Sequence, residues 1–193
     1  MKVLFVNSCP RGEDSRTLAL ARTFLDALGD AEIICHDLPA MALPPIDSAL
    51  LDRREALCNA HAWEAPFLRP AVDFVQADMI VIAAPYWDLS FPSMLKVWVE
   101  HMWVRNLTFH YENDRCVGHA RAKQCIYVTT SGSPIGANDW GTGYISAVMD
   151  ALGVGAFRAL KAEALDLDTS DPAAILAKAK EQAIRLAGEI AGA

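Results

Sequence analysis

The stretch Ala77-Asp78-Met79-Ile80-Val81-Ile82-Ala83-Ala84-Pro85-Tyr86-Trp87-Asp88-Leu89-Ser90-Phe91-Pro92-Ser93-Met94-Leu95-Lys96 decides how the chain is read. Met79 to Ala84 is an unbroken apolar run, too short for a helix and without polar alternation, as expected of a strand covered on both faces of a parallel sheet. Pro85 ends that strand and biases Ala84 towards extended geometry. Ser90 is expected to cap a following helix with Pro92 in its first turn, where a missing N–H does no harm. The loop from Pro85 to Leu89 then lies at the carboxyl end of a central strand, the edge at which open α/β sheets bind ligands.

Working outward, Val3 to Val6 forms a second short apolar strand, followed by the polar loop Asn7 to Thr17. Leu18, Ala21, Phe24, Leu25 and Leu28 share one face of a helix that Gly29 stops. Ile33 to Leu38 is a further strand and completes a βαβ unit. From Ala40 to about Arg69 the pattern weakens into a proline-containing excursion with a helical piece from Leu50 to Asn59. Such a length suits a lid, an interface arm or plain irregular packing. Beyond the Ser90 helix, Asn106 to Gly118 reads as a small hairpin or flap. Gln124 to Thr129 is a strand, Thr130 to Asp139 a loop, and Trp140 to Leu152 a helix ended by Gly153. Phe157 to Ala164 is the last strand, and Asp171-Pro172 opens a final helix. Five strands alternating with helices predict a single α/β domain over residues 1–193, a doubly wound parallel sheet.

Composition limits what such a domain does. A net charge of −7 opposes attraction to nucleic acid or anionic lipid. Five cysteines without Cys-x-x-Cys spacing, and no histidine pair at metal-ligand spacing, suggest reduced and mostly buried thiols and no metal site. The amino terminus is neither a signal peptide nor a membrane span by pattern, so the cytoplasm is the expected compartment.

Three polar loops at strand ends carry the candidate chemistry. In the first, Ser15, Arg16 and Thr17 gather hydroxyls, a guanidinium and a helix N-terminus, a combination suited to a phosphate group; helix capping by Ser15 or Asp14 is the simpler reading of that loop alone. The loop lacks both the P-loop and the Gly-x-Gly-x-x-Gly patterns. In the second, Tyr86, Trp87, Asp88 and Leu89 offer surface and backbone amides to a flat ring such as an isoalloxazine, with helix-lid packing as the plain alternative. In the third, Gly132 among Thr130, Ser131 and Ser133 lets backbone approach a planar ligand. Glu100-His101 reads as helix packing, Cys9 and Cys125 as structural thiols, and the acidic run at Asp166, Asp168 and Asp171 as a solvated turn with a helix cap.

Taken together, Ser8 with Ser15-Arg16-Thr17-Leu18-Ala19, the segment Ala77 to Lys96, Leu107 to Tyr111, Val128 to Gly132 and Gly143 to Gly153 resemble the flavodoxin-like FMN-dependent NADH-azoreductases and NAD(P)H:quinone reductases. The resemblance covers nearly the whole chain. It implies a three-layer flavodoxin-like fold with strand order 2-1-3-4-5, FMN as cofactor, and NADH or NADPH as donor. It further implies a quinone, azo compound or similar electron-poor aromatic as acceptor, a ping-pong reaction and a homodimer. By the same resemblance Ser8, Ser15, Arg16 and Thr17 hold the FMN phosphate, Pro85, Tyr86, Trp87, Asp88 and Leu89 border the isoalloxazine, and Thr130, Ser131, Gly132 and Ser133 close its other edge. Phe109 matches an aromatic wall of the substrate pocket, and His110 and Tyr111 could donate a proton there. Two positions depart from the pattern: Ser133 stands where a second glycine is common, and Asp88 where asparagine is. Trp98, Met102 and Trp103 with the apolar flap are expected to supply a dimer surface. A flavodoxin-type electron carrier and a flavin-free regulatory module on the same fold are the rival readings.

Overall fold

In a computed structural model, which describes residues 1–192, β1 (Lys2–Asn7) leads through a loop to α1 (Arg16–Ala27) and β2 (Glu32–Asp37). Next come α2 (Leu38–Met41), α3 (Ser48–Asn59), α4 (Arg69–Gln76), β3 (Met79–Ala83) and α5 (Ser93–Met102). A hairpin of β4 (Phe109–Glu112) and β5 (Arg115–Gly118) precedes β6 (Gln124–Thr130), α6 (Trp140–Ala151), β7 (Ala156–Ala162) and α7 (Pro172–Ala191). The main sheet is wholly parallel in the order β2-β1-β3-β6-β7. With the antiparallel hairpin strands left out of the count, this is the expected order 2-1-3-4-5.

The apolar runs are unbroken because both faces of the inner strands are covered. Leu4, Val6, Ile80, Ile82, Cys125 and Tyr127 meet Trp98 and Met102 of α5 and Ile145 and Met149 of α6. Their neighbours Val3, Phe5, Met79, Val81, Ile126 and Val128 meet Leu20 and Phe24 of α1 and Ala179, Ala183 and Ala187 of α7. Each large aliphatic side chain buried in this way contributes about 1.5–3 kcal/mol. The edge strands β2 and β7 instead expose Glu32, Cys35, Arg158 and Ala159, as strands with one open side do.

One polar chain crosses the first of these layers. The Trp98 indole N–H donates to His36 Nδ1 at 3.0 Å, His36 Nε2 stands 3.1 Å from Asp73 Oδ2, and Arg69 Nε donates to the Asp73 carboxylate at 2.8 Å. An indole can only donate, so His36 Nδ1 accepts and Nε2 carries the proton. The ring is therefore neutral, in keeping with burial, which holds its pKa below the ordinary histidine value against the pull of Asp73.

The excursion from residue 40 to 69 is ordered. Asp47 Oδ1 caps α3 by accepting from Leu50 N at 2.8 Å. His101 Nε2 donates to Pro44 O at 2.8 Å, and Arg54 Nη1 to Glu100 O at 2.8 Å, fastening the excursion to α5. His101 is thus the packing residue that its sequence context suggests.

Two expectations are corrected. Ser90 does not cap α5: the N-cap is Pro92, and Ser90 closes a tight turn with Trp87. Trp98 and Met102 are fully buried against the sheet and offer no dimer surface, leaving only Trp103 of that trio partly exposed. The cysteines are mostly buried, as expected: Cys9, Cys58 and Cys125 are, while Cys35 and Cys116 are exposed because each lies on a strand with an open edge or face.

Candidate functional site

A cleft of about 230 Å³ opens at the carboxyl ends of β1, β3 and β6, where the three polar loops converge. Its walls are Ser15, Arg16 and Thr17 with Pro10, Arg11 and Asp14 from the first loop, and Pro85, Tyr86 and Trp87 from the second. Thr130, Ser131 and Gly132 come from the third, and Asp166 from the segment after β7.

The first wall is the start of α1. Ser15 is extended, with φ −81° and ψ 116°, and its Oγ accepts from Leu18 N at 3.2 Å, so it is a true N-cap. Capping and lining coexist: Ser15 Oγ satisfies one helix-end amide and still borders the cleft. Among the described residues, the backbone N–H groups of Arg16 and Thr17 donate to no acceptor in the chain. These are the orphan donors that make a helix N-terminus receptive to an anion. Thr17 Oγ1 and Thr130 Oγ1 share a hydrogen bond of 2.6 Å, joining the first and third walls at their base. Ser8, directly after β1, is fully buried and does not line the cleft; its hydroxyl lacks a partner within the chain, which costs free energy.

Beside it, Cys9 donates its N–H to Asn7 Oδ1 at 3.1 Å, and burial pushes its thiol up to about 11. A thiol so held is not a nucleophile at neutral pH, which supports its structural reading.

The second wall is strained. Trp87 N donates to Ser90 O at 3.2 Å and Ser90 N to Trp87 O at 2.7 Å, around Asp88 at φ 50° and Leu89 at φ 66°. Two left-handed residues in a two-residue turn define a type I′ geometry, which Asn-Gly pairs enter cheaply and leucine does not. Asp88 and Leu89 sit at the exposed tip of this turn, outside the lining, while Tyr86 and Trp87 remain within it. Tyr86 N donates to Thr130 O at 2.9 Å and its hydroxyl to Asn138 O at 3.0 Å, which fixes the second wall to the third.

In the third wall, Gly132 leaves room for Asp166: a Cβ there would fall 2.3 Å from Asp166 Oδ2 and push that side chain aside. Ser131 Oγ donates to Ser133 O and closes the loop, and Ser133 itself is exposed beyond the lining. Asp166, read from sequence as part of a solvated acidic turn, lines the cleft and pairs with Arg16 Nη2 at 2.8 Å. No local pattern marks it; only the parallel pairing of β7 beside β6 brings it there.

Phe109, His110 and Tyr111 lie on the β4–β5 hairpin and do not line this cleft. Phe109 is buried between Trp103 and Tyr111, with ring centroids 5.6 and 5.5 Å away. His119 Nδ1 donates to Leu107 O at 3.0 Å, so its Nε2 accepts from His110 Nδ1 at 2.7 Å.

FMN suits this donor set. Two orphan amides, the Ser15 and Thr17 hydroxyls and a guanidinium on the cleft wall are what a phosphate requires, and Tyr86 and Trp87 add aromatic surface to the same lining. Among the described residues no cluster of side chains could hold a metal ion, and no helix is long and apolar enough to cross a membrane.

Comparison with known proteins agrees with this geometry. The FMN-dependent NADH:quinone oxidoreductase 2 of Clostridium acetobutylicum is 30% identical over 197 residues, spanning 94% of this chain and 98% of that protein. The FMN-dependent NADH:quinone oxidoreductase of Lachnoclostridium phytofermentans is 31% identical over 195 residues, covering 97% and 98%. In fold, the chain is similar to an FMN-dependent NADH-azoreductase from Bacillus anthracis solved in complex with FMN. The TM-score is 0.86 at 20% identity, over 99% of this chain and 100% of that one. A family model described as flavodoxin-like fold matches residues 1–186, and the chain belongs to that family.

Proposed function

We propose that the protein is an FMN-dependent NADH:quinone oxidoreductase, with azo compounds or similar electron-poor aromatics as further acceptors. The observation that carries the reading is the convergence, in one cleft, of orphan amides and Arg16 at the start of α1 with the aromatic turn after β3. Relatives that bear this activity by name, aligned over nearly the whole chain, support it. FMN, when bound, supplies two-electron transfer between the nicotinamide and the acceptor.

The chain's own residues bind and orient. Ser8, Ser15, Arg16 and Thr17 hold the phosphate through hydroxyls, amides and guanidinium. Pro85, Tyr86 and Trp87 border one edge of the ring, with Asp88 and Leu89 at the turn tip setting the loop's path. Thr130, Ser131 and Gly132 border the other edge, with Ser133 fixing their loop. Pinned at Thr130 O and Asn138 O, Tyr86 holds its wall at a fixed distance from the third loop. Nicotinamide and acceptor enter in turn by the same mouth, so turnover follows a substituted-enzyme pattern. The partly exposed Trp103 and the 68%-exposed Tyr111 on the flap support a homodimer that docks through this side, and the cytoplasm is the compartment this reading assumes.

Steady-state rates with NADH and a soluble quinone, varied together, test the reading. Parallel double-reciprocal lines at one FMN per chain are expected. Intersecting lines overturn the shared mouth, and no quinone reduction by FMN-loaded protein overturns the enzyme reading in favour of an electron carrier. Sedimentation at micromolar concentration showing monomer alone overturns the dimer.

A further inference from the structure

The cleft holds a negative charge that phosphate binding does not call for. Arg16 Nη2 already donates to Asp166 Oδ1 at 2.8 Å, and Nη1 to Leu165 O at 3.2 Å. The Asp166 backbone is tethered, its N–H bonded to Gly132 O at 2.9 Å, and its Oδ2 lies 2.3 Å from where a Cβ on Gly132 would stand. Its carboxylate therefore occupies the space between the guanidinium and the third wall. Arg11 and Asp14 add one further charge of each sign at the rim, so the lining as a whole is close to neutral.

Resting on the FMN reading above, we propose that Asp166 sets the cleft's preference among flavins by competing with the cofactor's phosphate for Arg16. Carboxylate and phosphate are the two groups that the guanidinium fork matches, and they want the same donors. A phosphate that meets Arg16 from inside the cleft either displaces the Asp166 carboxylate or stands beside it, and both cost affinity. The cost falls only on flavins that bring a phosphate. A neutral flavin such as riboflavin leaves the pair intact. Orientation of Arg16 does not depend on the carboxylate alone, because Leu165 O also accepts from it. The residue thus works against tight retention of FMN and favours its exchange.

Asp166→Asn tests this, since it keeps the shape beside Gly132 and removes the charge. Flavin-free protein is titrated with FMN and, separately, with riboflavin, reading the change in flavin fluorescence. Melting temperature of the flavin-free variant serves as the folding control, and Asp166→Ser carries the same expectation should the amide variant fold poorly. Removing an ion pair of this exposure, 33% and 62% for the two side chains, predicts a gain in FMN affinity of about twofold to fivefold and no change for riboflavin. Unchanged or weaker FMN binding overturns the proposal and makes Asp166 a support for Arg16. An equal gain for riboflavin overturns it as well, since the charge then acts on the ring or the fold. If the unsubstituted protein and Asp166→Asn both bind FMN and riboflavin equally, the phosphate makes no contact in this cleft; the proposal falls, and the fault lies with the cofactor placement. Failure of the unsubstituted protein to bind either flavin overturns both.

Discussion

Ser15→Asp separates the two roles that Ser15 combines. As an N-cap, aspartate serves as well as serine, and this chain shows it three times. Asp47 accepts from Leu50 N at 2.8 Å, Asp139 from Thr142 N at 3.1 Å and Asp171 from Ala174 N at 3.0 Å. The helix should therefore keep its cap, and the melting temperature of the flavin-free variant should stay within the small margin between good caps. Phosphate binding should not survive. Ser15 is 7% exposed and lines the cleft, so a carboxylate there lies within about 5 Å of a phosphate seated on the Arg16 and Thr17 amides. At an effective dielectric near 20 that separation gives roughly 3 kcal/mol of repulsion per pair of unit charges before salt screening. Replacing a charged hydrogen bond adds about 1.5–3 kcal/mol. Even with half of this lost to screening, FMN affinity should fall well beyond tenfold. The assay is FMN retained after desalting, with the flavin-free melting temperature measured in parallel. A folded variant with full FMN occupancy would refute the placement of the phosphate at α1.

Acidification should weaken the fold through His36. Its folded-state pKa is depressed by burial, so both states are neutral above about pH 6.5, and below that value the unfolded chain takes up a proton that the native ring refuses. Urea denaturation should show stability falling as pH drops from about 6.5 towards the native pKa, by up to about 1.4 kcal/mol per pH unit, and His36→Gln should flatten that slope. Trp98→Phe removes the indole donor to His36 Nδ1 and strands a buried acceptor, so it should cost about 1–3 kcal/mol by the same method. Gly155→Ala places a Cβ 2.2 Å from Lys123 O, a backbone atom that cannot step aside, and should lower the melting temperature by several degrees. Gly188→Ala in α7 meets nothing within 4 Å and should raise stability by about 0.5–1 kcal/mol.

The sheet was legible because its inner strands are covered on both faces: the run Met79 to Ala83 has no polar residue to confuse with a helix. Loops at strand ends were legible for the same reason, since Pro85 and the polar stretch after Asn7 break sharply with what precedes them. The Ser90 cap was misjudged because Trp87 to Ser90 closes on itself through left-handed Asp88 and Leu89, residues whose sequence advertises no such turn. Asp166 was missed because its place in the site comes from β7 lying next to β6, a pairing fixed by the whole sheet and not by its neighbours in sequence. Burial of Trp98 was hidden for a related reason: His36 and Asp73, which satisfy and enclose it, lie 62 and 25 residues away.

The proposed function requires FMN, held in the cleft at α1, to pass electrons from NADH to a quinone. Anaerobic mixing of the FMN-loaded protein with NADH, followed by flavin absorbance near 450 nm, addresses that most directly. Bleaching far faster than for free FMN under the same conditions is expected, with recovery on adding one equivalent of a quinone and loss of both in Ser15→Asp desalted before mixing. Bleaching no faster than the free-flavin control, or undiminished in that variant, would contradict the proposed function.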